Sequence, residues 1–145
     1  MLLISHRGNL NGPNSDLENN PDYIELAIKN NFNVEIALYY HNGDLWLGHD
    51  FPQYKITDLN WLKNDYLWCH AKNIEALHFL SNFNDIHYFW HQNDDVTLTS
   101  KGYIWTFPNK KICKKSIIVI QENILIDQMP DCYGICSDFV ANLKN

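Results

Sequence analysis

Short apolar runs, each bounded by polar or turn-forming residues, recur along the whole chain. They cover Leu2–Ser5, Asn33–Tyr40, Asp44–Leu47, Tyr66–Ala71, Ile86–His91, Gly102–Phe107, Ser116–Gln121 and Gly134–Ser137. Their shortness and their β-branched and aromatic content predict buried strands. His41-Asn42-Gly43 marks a turn, so Asp44–Leu47 reads as a short hairpin partner of the preceding strand. Two segments have helical spacing instead. Pro21–Asn30 opens on a first-turn proline and carries Tyr23, Ile24, Ala27 and Ile28 on one face. Asn73–Phe83 has Asn73 as N-cap, with Ile74, Ala76, Leu77 and Leu80 on one face. Strand–helix–strand alternation predicts a parallel sheet with right-handed crossovers. Later connections are too short for full helices.

Composition adjusts this picture in three ways. The 145 residues, 46% of them hydrophobic, form one folded domain spanning 1–145. A net charge of −6 with no long basic run argues against nucleic acid as a partner. Cys69, Cys113, Cys132 and Cys136 fit no zinc-ribbon spacing and read as reduced thiols, and Met1–Ile4 is too short an apolar run for a leader or a membrane segment. A cytoplasmic protein without an integral membrane segment is the expectation.

Candidate chemistry gathers at the ends of the runs. Ser5-His6-Arg7-Gly8 follows the first one; His6 can move a proton near neutral pH, and Arg7 offers a planar fork that matches phosphate oxygens. Glu35 and Ala37 share one face of the second strand, opposite Val34, Ile36 and Leu38. A carboxylate buried there needs a partner. Gly48-His49-Asp50 adds a second histidine with an acid beside it. Two such histidines suit phosphodiester cleavage, one deprotonating the attacking hydroxyl and the other protonating the leaving alkoxide. His41, His78 and His87 read as structural residues on turn or helix surfaces, and Trp68, Trp90 and Trp105 as packing.

His6-Arg7-Gly8, Glu18-Asn19, Glu35-x-Ala37 and His49-Asp50, in this order and spacing, resemble the glycerophosphodiester phosphodiesterase family. Weaker echoes are His70-Ala71-Lys72, at the place of an E-x-K strand end, and Ser137-Asp138, at that of a closing T-D. The resemblance implies a TIM-like (β/α) barrel. At 145 residues, against about 250 for a full one, it would be miniaturised or incomplete, with about 7–8 mostly parallel strands and few outer helices. It also implies a metal-dependent hydrolase of a small glycerophosphodiester-like substrate. His6 and His49 would be its acid/base pair, and Arg7, Lys72 and His91 its substrate contacts. A divalent cation (Mg²⁺, Ca²⁺ or Mn²⁺, with Zn²⁺ suited to a histidine ligand) would sit on Glu35, the Ala37 position, Asp50, His70 and Glu122. Two positions depart from the pattern: Ala37 stands for an Asp and His70 for a Glu, so one of three implied carboxylates remains. These departures motivate an alternative, an inactive phosphodiester-binding module, and a cyclising lyase is a third. Sparse outer helices would leave apolar wall exposed and favour a homodimer.

Overall fold

The computed structural model describes residues 1–144, with Ile126 by its backbone alone. The described residues form ten strands in one mixed sheet: β1 Leu2–His6, β2 Asn33–His41, β3 Asp44–Leu47, β4 Tyr54–Lys55, β5 Leu67–Ala71, β6 Tyr88–Trp90, β7 Val96–Leu98, β8 Ile104–Thr106, β9 Ser116–Ile120 and β10 Gly134–Ser137. Two α-helices accompany them, α1 Pro21–Lys29 and α2 Ile74–Leu80.

Seven strands run parallel, in the spatial order β6-β5-β2-β1-β10-β9-β8. Their carboxyl ends therefore lie on one rim. The remaining three are antiparallel additions: β3 and β4 continue from the far half of β2, and β7 pairs with β8. This arrangement corrects the expected TIM-like barrel. The sheet curls into an open half-barrel, and among the described residues no ladder joins β6 to β8. The chain turns back at Gln92–Asp95, so β7 meets β8 antiparallel and occupies the edge that a closing parallel strand would need. The link across the gap is local: the Ser100 amide donates to the Tyr88 carbonyl at 2.9 Å, and the Tyr88 amide donates to Ser100 Oγ at 2.9 Å.

Both helices form where the sequence places them. Asn20 Oδ1 accepts from the Asp22 amide and Pro21 fills the first turn of α1; Asn73 Oδ1 accepts from the Ala76 amide and caps α2. Ile24, Ala27, Ala76 and Leu80 are buried against Val34, Ile36, Leu38, Leu67 and Cys69 on the outer face of β2 and β5. Each large side chain buried there contributes about 1.5–3 kcal/mol. On the concave face Ile4, Trp68, Phe89, Trp105, Ile117 and Cys136 pack together. Period-two alternation thus sends Val34, Ile36 and Leu38 outward, and Glu35 and Ala37 inward.

Strands β4 and β7 carry no clear periodic signal in the sequence and emerge only as short edge pairings. His87 departs from its expected surface position. It is buried, its ring tilted against Trp68 with centroids 4.0 Å apart, and Nε2 lies 2.8 Å from Thr99 Oγ1. The four cysteines are free thiols, Cys69 and Cys136 buried. No helix among the described residues is long and apolar enough to cross a membrane.

Candidate functional site

The carboxyl ends of β1, β2, β5 and β10 and the turn after β3 bring most of the singled-out residues together. A cleft of about 110 Å³ is lined by His6, Arg7, Glu35, His49, His70 and His91, with Trp105, Phe107 and Gln121 on the far wall.

His6 ends β1, and its Nδ1 lies 2.8 Å from Asp138 Oδ1, just beyond β10. Against a carboxylate that nitrogen carries the proton, so Nε2 is the working nitrogen, and it faces Glu35 Oε2 at 3.9 Å. Asn9 Nδ2 donates to Asp138 Oδ1 (2.7 Å) and to Glu18 Oε1 (2.9 Å). Burial opposes ionisation of Asp138, but His6 and Asn9 hold its carboxyl below the usual range.

Arg7 follows in a left-handed backbone conformation, φ 56°. For a long side chain this is strained, and such strain concentrates at ligand-binding positions. The next residue, Gly8 at φ 96°, passes so close to Tyr23 that a Cβ would sit 2.7 Å from its ring. Arg7 Nη1 donates to Glu18 Oε2 at 3.0 Å, while its buried Nε has no partner among the described residues. Asn19 acts structurally here, its Oδ1 accepting from the Ala37 amide at 2.9 Å.

His49 reaches the cleft through a tight turn. Gly48 donates to the Ala37 carbonyl at 3.0 Å, and a Cβ at Gly48 would lie 2.0 Å from the Phe51 carbonyl oxygen. The His49 ring is oriented by Asp50 (Nδ1 to Oδ1, 2.7 Å), and Tyr39 Oη donates to the His49 carbonyl at 2.8 Å. Burial and the nearby Arg7 push the His49 imidazole down, outweighing the opposing pull of Asp50. Burial likewise lowers Lys72, at the end of β5; its charge acts on His49 and Asp50, although it does not line the cleft itself.

The implied cation sites are where sequence and structure part. Glu35 is buried; Oε1 lies 3.1 Å from His70 Nδ1, and Oε2 is buried without a hydrogen-bond partner among the described residues. Burial alone would raise this carboxyl, but the hydrogen bond to His70 and the charges of His6, His70 and Arg7 overcome it and hold it at about 2. His70 has no nitrogen to spare, because Nε2 lies 2.9 Å from the His91 carbonyl oxygen. Ala37 offers no donor atom. Asp50 has its side chain 83% exposed and is engaged by His49, and Glu122 is exposed beyond β9 and outside the cleft lining. No three His, Cys, Asp or Glu side chains among the described residues converge as a ligand set. One carboxylate oxygen does not satisfy a hard cation that wants several, so the residues present do not fit Mg²⁺ or Ca²⁺.

His91 lines the cleft, but its Nε2 is tied to the Asp94 carbonyl at 2.6 Å. Its main role here is to offer its own carbonyl to His70. The sequence reading missed Asp138 as the orienting partner of His6, and also Asn9 and the far wall formed by Trp105, Phe107 and Gln121. The signal for Asp138 lay in strand adjacency: β10 pairs with β1 in the register Ser5 to Ser137, which puts the following residues, His6 and Asp138, side by side.

Compared with known proteins, the chain matches no family model, no curated protein and no solved structure.

Proposed function

We propose that the cleft binds a small phosphodiester and cleaves it by proton transfer between His49 and His6. The observation that carries this reading is the pair of Asp-oriented imidazoles, His6 on Asp138 and His49 on Asp50, facing one cleft beside Arg7. The four-part likeness to glycerophosphodiester phosphodiesterases supports the same class. His49, kept neutral by its lowered pKa, takes the proton of the attacking hydroxyl. A new O–P bond forms as the bond to the leaving alcohol breaks, and His6 delivers a proton to the departing oxygen. Arg7 holds the non-bridging oxygens, and the charge of Lys72, outside the cleft lining, adds to the field that stabilises the charge developing on them.

Phosphorus NMR on a panel of glycerophosphodiesters and lysophospholipids tests this, in chelator and with added Mn²⁺, Ca²⁺ or Mg²⁺. Cleavage is expected, falling roughly 10²–10⁴-fold in His6→Gln and in His49→Gln. If no diester is cleaved under any condition, the hydrolase reading fails. A second reading then stands, a non-catalytic phosphodiester-binding module, and it is favoured by the loss of ligand atoms at Ala37 and His70. Binding of inorganic phosphate without turnover is its signature.

A further inference from the structure

We propose that the phosphodiester taken by the cleft carries one long, uncharged apolar arm, an alkyl or acyl group, and that this arm lies in a groove over the end of β9. The inference rests on the phosphodiester reading above and narrows its substrates to amphiphilic diesters. What covers β9 is the starting point. No α-helix among the described residues packs there; irregular connections before and after the strand do so instead. Pro108 and Asn109, the latter at φ 62°, shape one of them as a turn, in which the Lys110 amide donates to the Phe107 carbonyl at 3.3 Å. Between the connections lies a groove of about 350 Å³, a size that suits a small-molecule site.

Strand alternation makes this groove apolar and joins it to the cleft. Ile118 and Ile120 face outward from β9 and pack with Ile112 and Ile124, and these four isoleucines line the groove. Val119 and Gln121 face the other way. With Phe107 and Pro108 they line both the groove and the cleft, so a ligand held at the cleft by its phosphate reaches the groove across one shared wall. The cleft has less than a third of the groove's volume, about 110 Å³, so the larger arm of a diester belongs in the groove. Chemistry then selects that arm. Isoleucine walls leave the hydroxyls of a polyol unsatisfied. Lys110 is already held by Asp95 at 2.8 Å, and Glu122, exposed at the end of β9, repels an anionic arm. Apolar surface continues at Phe107 and Leu125, 43% and 66% exposed, and covering it with an alkyl group is favourable.

Calorimetry with n-alkyl phosphates, below their micelle concentrations, tests this without requiring cleavage. Affinity is expected to rise from methyl to octyl phosphate by about two- to fourfold per methylene. Amide exchange over 121–130 is expected to slow with octyl phosphate and not with methyl phosphate. Ile120→Asp and Ile124→Asp should each weaken octyl phosphate binding roughly tenfold more than methyl phosphate binding. Equal affinity for the two phosphates, no binding of either, or a length dependence that both variants retain overturns the proposal. So does protection of 121–130 that grows with protein concentration alone, which puts a second copy of the protein in the groove. The exchange pattern of the wild type decides the matter even if a variant fails to fold. The two readings fail separately. Octyl phosphate binding with protection of 121–130 but no diester cleavage counts against the hydrolase alone. Cleavage of glycerophosphodiesters with no preference for an alkyl-bearing diester counts against the apolar arm alone.

Discussion

Glu35 shows how one residue couples the site to stability. Its carboxyl sits at about 2 in the folded protein, against an ordinary value of 4.5. A depressed folded value means that the contribution is fully present above pH 4.5 and is lost as pH falls towards 2. The difference corresponds to about 3 kcal/mol. Urea unfolding of the wild type should therefore show a midpoint that drops steeply between pH 5 and pH 2.5, and Glu35→Gln should flatten that slope while lowering stability at pH 6. A variant slope equal to that of the wild type would mean the pair carries no linkage. Residue identity was legible at this scale for His6, Arg7, Glu35 and His49, whose spacing survives translation into space. The partners of His6 and His70 were not legible. Asp138 lies far along the chain, and the His91 carbonyl belongs to a backbone that side-chain patterns do not describe.

Elements were read well where local physics suffices. Strand alternation over 33–38 assigns both faces of β2 correctly, and capping asparagines mark the starts of both helices. Asn73 does more than cap. Its Oδ1 accepts from the Ala76 and Tyr40 amides, and its Nδ2 donates to the Tyr40 carbonyl at 2.8 Å, which ties α2 to the far half of β2. Among the described residues the Asn20 side chain makes only its cap bond, to the Asp22 amide. Asn73→Ala should therefore cost about 2–3 kcal/mol and Asn20→Ala about 1 kcal/mol, compared by chemical denaturation at neutral pH. Equal costs would show that the bridge to β2 contributes nothing. Strands β4 and β7 escaped the sequence reading because two- and three-residue edge segments hold too few alternating positions to stand out.

Across the whole molecule the two sides of the sheet are covered unequally. Helices α1 and α2 pack over β2 and β5, whereas irregular connections such as 121–133 cover the β9–β10 side. Local opening follows such differences in buried apolar contact. Amide hydrogen exchange should accordingly be slowest in β1, β2 and β5, intermediate in β9 and β10, and fastest in β7 and the 121–133 connection. Uniform protection would contradict this division. The same asymmetry explains why a barrel was expected and a half-barrel is found. Motif order reports which strand ends meet, but closure depends on whether the two edge strands reach each other. Here β7 returns antiparallel to β8 and leaves β6 unpaired on that side.

By itself the sequence determined the order of strands and helices, the inward face of each long strand and the cluster of His6, Arg7, Glu35 and His49 at the strand ends, because periodicity, capping and motif spacing are short-range properties of a chain. Tertiary structure alone decided that the sheet stays open, that Asp138 orients His6, and that Ala37 and His70 are register partners around one buried carboxylate. These depend on pairings between residues dozens of positions apart, and there geometry, not local preference, sets which polar groups must satisfy one another.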